Sequence, residues 1–280
     1  MRSIDVGTLP NSQLYFHTVS TQGKKMFFYA LCAGHYYCNH QYSVTRKNYN
    51  SFLIMYIKKG TGFVTTNNNT YSFKDGQIIL IDCYTHHSYR ASGDLEFYWF
   101  HFDGSSAREY FKTITTNYGH VINLKDTLYF EKYMKKILDI YSANTGINEA
   151  LVSKYITNLL TELITSTVKI NPTRVHSEII DEAISYITNN LNSPLSLTEL
   201  SNAVSISPYY FTRLFKKETG YTPHEYIIET RINSAKFYLK STTLPVKEIC
   251  FNCGFSSESS FCTCFKKVVG ITPTEFRDIN

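Results

Sequence analysis

Phe215-Lys216-Lys217-Glu218-Thr219-Gly220-Tyr221-Thr222-Pro223-His224-Glu225-Tyr226 returns fifty residues later as Phe265-Lys266-Lys267-Val268-Val269-Gly270-Ile271-Thr272-Pro273-Thr274-Glu275-Phe276. Upstream, Phe211 and Phe261 stand in the same register. A fixed internal period marks a duplicated structural unit. Each copy follows a short helical pattern, a break and a second helical pattern, and a longer helical stretch joins the two. Short helices linked by a tight turn, written twice, read as paired helix-turn-helix units.

The local signals place these helices. An apolar stripe of Ile179, Ile180, Ala183, Ile184 and Ile187 ends at Asn192-Ser193-Pro194. A short helix follows over 197–203, with Ser196 or Thr198 positioned to cap it. Ser207 caps the next helix, Pro208 takes its first position, where a missing N–H is harmless, and Gly220 ends it. A connecting helix over 225–239, a short one over 246–250 and a last one over 257–269 complete the pattern. On the helix from Pro208, Phe211, Leu214 and Phe215 share an apolar face. Tyr209, Thr212, Arg213 and Lys216 lie opposite, free to enter a major groove of double-stranded DNA. Arg213 suits bidentate pairing with guanine O6 and N7, and Lys216 suits phosphate. In the second copy Thr263 stands where the first has Arg213, and Ser257, Glu258 and Ser259 are short or acidic. That half is expected to read bases more weakly and to hold the backbone through Lys247, Lys266 and Lys267.

The first half of the chain has another period. Stretches 26–31, 52–57, 63–66, 78–81 and 95–102 are aromatic and β-branched, and turn-forming clusters such as Gly60-Thr61-Gly62, Asn67-Asn68-Asn69 and Asp75-Gly76 separate them. Short strands at this spacing predict a sandwich or barrel. Helical stripes follow, with Leu128, Met134, Ile137, Leu138 and Tyr141 on one and Leu151, Tyr155, Leu159, Leu160, Leu163 and Ile164 on the next. They serve either as a homodimer surface or as packing against the barrel. Asn171-Pro172-Thr173 breaks the chain. The expected organisation is α+β and multidomain: a β domain over 1–125, a helical dimerisation or packing segment over 126–170, a linker over 171–177 and an all-α domain with two helix-turn-helix units over 178–280.

Charge does not by itself indicate a nucleic-acid partner. The net charge is +5, but the excess lies upstream, with 18 Lys and Arg against 12 Asp and Glu, whereas from His176 onward 10 Lys and Arg face 11 Asp and Glu, so any DNA face must concentrate its cations locally. Seven scattered cysteines argue against a disulfide framework. Cys250 and Cys253 have the spacing of a metal pair, but Cys262 and Cys264, two apart on a helix, diverge, so structural zinc is not expected. The opening Met1–Gly7 lacks the apolar stretch of a secretory leader, and no run suffices for a membrane span, so the cytoplasm is the expected compartment.

These residues resemble the arabinose-regulator (AraC-type) family of bacterial transcription factors. The resemblance covers about 100 residues. It rests on Leu200, Ser207, Tyr209, Arg213 to Lys217, Gly220, Thr222-Pro223, Glu225-Tyr226, Arg231-Ile232 and Ala235-Lys236. In the second half it rests on Glu248-Ile249, Gly254-Phe255, Ser257, Phe261, Phe265 to Lys267, Gly270, Thr272-Pro273 and Phe276-Arg277. It implies that Tyr209, Thr212 and Arg213 face the groove. The N-terminal half resembles the family's cupin-like sensing barrel, through Gly60-Thr61-Gly62, Asp75-Gly76, His86-His87 and the run Phe97 to Gly104. On the strand over 95–102, Phe97, Trp99 and His101 share one face. If that face points inward, an indole stands beside a polar histidine. Arg46 precedes Gly60 by 14 residues, as a ligand-binding arginine does in the arabinose regulator, whose tryptophan matches Trp99. Arg46, His35, His87, Tyr89, Trp99 and His101 are therefore the candidate contacts for a small polar effector, a sugar among the options. Catalytic residues, a cofactor and a metal are not expected. His35 and His40 lie five apart and His86-His87 are adjacent, on opposite faces of any strand, which is not the ligand set of an enzymatic cupin. Two alternatives stay open: a regulator controlled by a protein partner or constitutively active, and a metal-dependent cupin fused to a DNA-binding tail.

Overall fold

The computed structural model of the chain describes residues 5–143, 145–165 and 174–279. They fall into two compact units, Met1–Ile170 and Asn171–Asn280. The break at Asn171-Pro172-Thr173 lies outside the described residues.

The first unit opens with β1 (Gln13–Phe16), α1 (Thr21–Met26) and the long strand β2 (Tyr29–Cys38). The strand expected over 26–31 is thus the end of a helix and the start of a strand. Ser20 caps α1 by accepting the Gly23 N–H, and the Glu149 carboxylate in turn accepts the Ser20 N–H at 2.7 Å. Then come β3 (Ser43–Arg46), β4 (Phe52–Lys59), β5 (Gly62–Thr66), β6 (Asn69–Phe73), β7 (Gln77–Asp82), β8 (His87–Ala91) and β9 (Leu95–Asp103). The unit closes with α2 (Ala107–Tyr118), β10 (Val121–Asn123), α3 (Leu128–Ser142) and α4 (Glu149–Thr165). All strand pairs are antiparallel. They form one sheet in the order β1-β2-β9-β4-β7-β10 and a second in the order β3-β8-β5-β6.

Two cores divide the unit by strand alternation. Between the sheets, Leu53, Met55, Ile57, Phe97 and Trp99 meet Val44, Val64 and Tyr89. On the other face of the six-stranded sheet, Tyr56, Tyr98, Phe100 and Phe102 pack against the helices. Met134, Ile137, Leu138 and Tyr141 of α3 and Leu159, Leu160 and Leu163 of α4 belong to this second core. Most of the helical stripes thus packs on the sheet, with Tyr155 and Ile164 only partly buried there; Leu151 does not belong to this core, and Leu128 stands 74% exposed.

In the second unit, α5 (Arg174–Asn189) starts within the stretch assigned to the linker. Then follow α6 (Leu197–Ala203), α7 (Pro208–Thr219), α8 (Pro223–Ser241), α9 (Val246–Asn252), α10 (Glu258–Val269) and α11 (Pro273–Asp278). Ser196, not Thr198, caps α6 in a reciprocal box with Glu199. The same box, made by Thr222 with Glu225, starts α8 at Pro223, ahead of the expected 225. Each helix-turn-helix half has its own core, one around Phe211 and Phe215 and one around Phe261 and Phe265.

Candidate functional site

The helix α7 is held from both ends by its sequence. Ser207 accepts the Tyr210 N–H, Pro208 occupies the first turn, and Gly220 adopts a left-handed φ of 82° that a side chain would strain. Phe211, Leu214 and Phe215 are buried, which turns Tyr209, Arg213 and Lys216 to the surface. Tyr209 is 74% exposed, and the Arg213 guanidinium lies 5.8 Å from its ring centre. Together they form a planar donor backed by an aromatic plate. Thr212 lies beside this pair. It is only half exposed, its hydroxyl donates to the Pro208 carbonyl at 2.9 Å, and it borders an apolar groove with Leu197, Leu200 and Ile227.

The helix α10 repeats the frame with another face. Ser257 accepts the Ser260 N–H, Gly270 has a φ of 91°, and Phe261 and Phe265 are buried. Glu258, Ser259, Thr263, Lys266 and Lys267 are exposed, as is Lys247 at the start of α9. Ser257 sits just outside the helix as its cap, and the Thr263 hydroxyl donates to the Ser259 carbonyl at 2.9 Å. Both hydroxyls are engaged locally. Cys250 and Cys253 are buried in the core of this half and Cys262 and Cys264 pack against it. Among the described residues, no group of three metal-ligating side chains stands together.

Within the first unit, Arg46, Tyr89, Trp99 and His101 converge between the sheets. With Asp5, Tyr36, Tyr42, Leu53, Met55 and Phe97 they line one cavity of about 10 Å³, room for about one water. Trp99 faces inward, and its ring stands edge-on to His101 at 5.8 Å. His101 is 1% exposed, and burial first, then the Arg46 charge, pushes its pKa down to about 3. It is thus neutral near pH 7. Its Nδ1 pairs with the Ser51 hydroxyl at 2.9 Å, and its Nε2 lies 3.5 Å from Arg46 Nη1, as an acceptor for the guanidinium. Burial opposes the Arg46 charge, but the oxygens of Tyr89 and Asp5 outweigh it and raise the pKa. Burial also raises the pKa of Tyr89, so that phenol is protonated at neutral pH. The indole Nε1 of Trp99 is buried without a hydrogen-bond partner, as are His87 Nε2 and Thr66 Oγ1. Such orphaned atoms are costly unless a guest or water meets them.

Two of the six candidates fall elsewhere. His35 is not in the cavity: strand alternation turns it to the opposite face of β2 from Tyr36, where its Nε2 meets Glu96 at 2.9 Å and its ring lies 4.2 Å from Tyr98. His87 points between the sheets and bonds the Thr85 carbonyl through Nδ1, but it does not line the cavity. Asp5, Tyr36 and Tyr42 were missed. Asp5 and Tyr42 lie outside the strands, so no alternation marked them, and Asp5 comes from a segment tied to the end of β2 by Leu9 N–H to the Tyr37 carbonyl at 2.7 Å.

Residues 30–160 match the family described as an AraC-like ligand binding domain, and residues 200–279 match the family described as a helix-turn-helix domain. The chain belongs to the AraC-type family of transcriptional regulators. The Transposon Tn10 TetD protein of Escherichia coli is 34% identical over 36% of this chain and 74% of its own length. The HTH-type transcriptional activator RhaS of Mannheimia succiniciproducens is 25% identical over 80% of this chain and 85% of that protein. The probable transcriptional regulator LumQ of Photobacterium leiognathi is 31% identical, but the match spans 46% of this chain and only 53% of that relative. As an AraC-type regulator, the chain is a DNA-binding protein with a ligand-binding domain. No helix among the described residues is long and apolar enough to cross a membrane.

Proposed function

We propose that this AraC-type protein is a cytoplasmic regulator rather than an enzyme, reading an operator through α7 and anchoring on DNA through α10. The exposed Tyr209–Arg213 pair on a doubly capped helix carries the base-reading role. Lys216, Lys247, Lys266 and Lys267 meet phosphate, and Glu258, Ser259 and Thr263 offer only short or acidic groups to bases. Two recognition helices in successive major grooves on one DNA face would stand about 34 Å apart. A homodimer would use the outer face of α3 and α4, where Leu128 and Tyr129 are exposed and the tilted rings of Tyr129 and Tyr133, and of Tyr133 and Tyr155, lie 4.6 and 5.3 Å apart.

The effector in this reading is a small polar molecule, a sugar or other hydroxylated metabolite, held by Arg46, Trp99 and His101. The orphaned Trp99 N–H and the charged Arg46 supply unspent donors for its oxygens, and the indole supplies an apolar plate. A cavity of about 10 Å³ admits no sugar as it stands, so binding requires its lining side chains to move apart. Any effect on DNA is then a coupling between two separate sites. Thermal-shift titration with sugars and other polar metabolites, on wild type and on Arg46→Ala and Trp99→Ala, tests this. A ligand should raise the melting temperature of wild type alone while basal DNA affinity stays unchanged in all three. The nearly filled barrel favours a second reading, in which a protein partner or nothing at all controls the regulator. Stabilisation by no metabolite, or equal stabilisation of all three proteins, would support that reading instead.

A further inference from the structure

The two helix-turn-helix halves do not share an apolar core. Ile227 of α8 belongs to the first core and Ile232 to the second, so the hydrophobic packing inside each half leaves the angle between them to other contacts. Arg231 lies at that boundary. Its Nε donates to the Leu191 carbonyl at 3.1 Å and its Nη2 to the Ser193 carbonyl at 2.8 Å, both on the loop between α5 and α6 of the first half. Its guanidinium also stands 5.8 Å from the ring centre of Phe255, in the turn between α9 and α10 of the second half. The adjoining turn residue, Gly254, has a φ of 81°, and a Cβ added there would collide with the Leu191 carbonyl oxygen and the Arg231 side chain. The turn of the second half is therefore seated directly on the loop of the first, with Arg231 between them. No carboxylate pairs with Arg231 among the described residues, so its charge is spent on carbonyls and an aromatic face.

We propose that Arg231 is a positioning residue that holds the two recognition helices at one separation, and so makes the protein intolerant of a changed spacing between operator half-sites. One base pair inserted between half-sites moves the bases of the second half-site by about 3.4 Å along the axis and about 34° around it. A rigid pair of helices cannot follow that step; a pair hinged on α8 alone follows it better. The residue touches no DNA in this role. It acts through preorganisation, which sharpens binding to the matched geometry and penalises the rest.

This inference rests on the reading that both α7 and α10 contact DNA, and the test separates the two ideas. The probe is a duplex selected from random sequence by the wild-type full-length protein, with versions carrying one inserted base pair between half-sites or a scrambled second half-site. Wild type should lose about tenfold on the inserted duplex. Arg231→Ala should lose affinity on the matched duplex and little on the inserted one, so that the ratio between them collapses towards one. Arg231→Lys, which keeps the charge but not the fork, should fall between the two, and it carries the test if the alanine variant fails to fold by circular dichroism. Equal losses on both duplexes would make Arg231 a folding residue only and overturn the proposal, as would an unchanged ratio. Wild type that binds the scrambled duplex as well as the matched one would leave α10 with phosphate contacts alone and no spacing to enforce, and would overturn the positioning role; the two-helix reading would fall only if Lys266→Ala and Lys267→Ala also left affinity for the matched duplex unchanged.

Discussion

The two helix-turn-helix halves share a frame and differ in what the frame displays. Ser207 and Ser257 cap, Gly220 and Gly270 terminate in left-handed conformation, and Thr222–Glu225 and Thr272–Glu275 start the next helix with the same reciprocal box. Phe211 and Phe215 answer Phe261 and Phe265 in burial. Yet the exposed face of α7 carries Tyr209 and Arg213 where α10 carries Ser259 and Thr263. Residues that keep backbone groups satisfied and fill a core answer to the chain itself, whereas residues on the outer face answer to a partner. The first kind has stayed equal between the halves and the second has diverged.

The largest expected effect tests the equality of the frames. Phe215→Ala and Phe265→Ala, both fully buried, should each destabilise the domain by about 3–5 kcal/mol in denaturant unfolding. A gap of several kcal/mol between them would mean that one half merely leans on the other. Next comes the divergence of the faces. Arg213→Ala should weaken binding to a selected operator by about 1–3 kcal/mol and affect a scrambled duplex much less, whereas Thr263→Ala should cost less than about 1 kcal/mol on either. Base substitutions under α10 should accordingly be tolerated better than those under α7. Equal stringency under both helices would break the comparison and assign base reading to Glu258, Ser259 or Thr263. The smallest effect lies in the caps. Ser207→Ala and Ser257→Ala should each lower stability by about 1 kcal/mol, visible as a drop in melting temperature of similar size. A null result at Ser257 alone would point to a hydroxyl whose main use is on DNA.

Much of this architecture is legible in the chain, and the misses have physical causes. The strands β4, β5, β7 and β9 were expected because their aromatic and β-branched runs are buried on one or both faces. The strands β1, β3, β6, β8 and β10 were not, because they are short and lie mostly in the smaller sheet or at sheet edges, where polar residues such as Asn69, Thr70 and Ser72 face solvent. The strand expected over 26–31 begins only at Tyr29 because the helix before it is held by Glu149, 129 residues away from Ser20, which no local pattern reveals. In the barrel, the alternation of Phe97, Trp99 and His101 was readable, but not which side of the sheet the helices would cover. His35 illustrates the gap: its residue type suits a pocket, and one step of register along β2 puts it on the other face.

What the sequence determined by itself was local and repeated: the caps, the terminating glycines, the buried phenylalanines and hence two copies of one DNA-binding unit. These follow from hydrogen bonds and periodicities spanning a few residues, so the order of side chains is enough to dictate them. The size of the effector cavity and the seating of one half on the other were decided only by the tertiary structure. A cavity is the volume left over after side chains from several strands and the Asp5 segment have packed, and the Arg231 junction joins residues 40 positions apart.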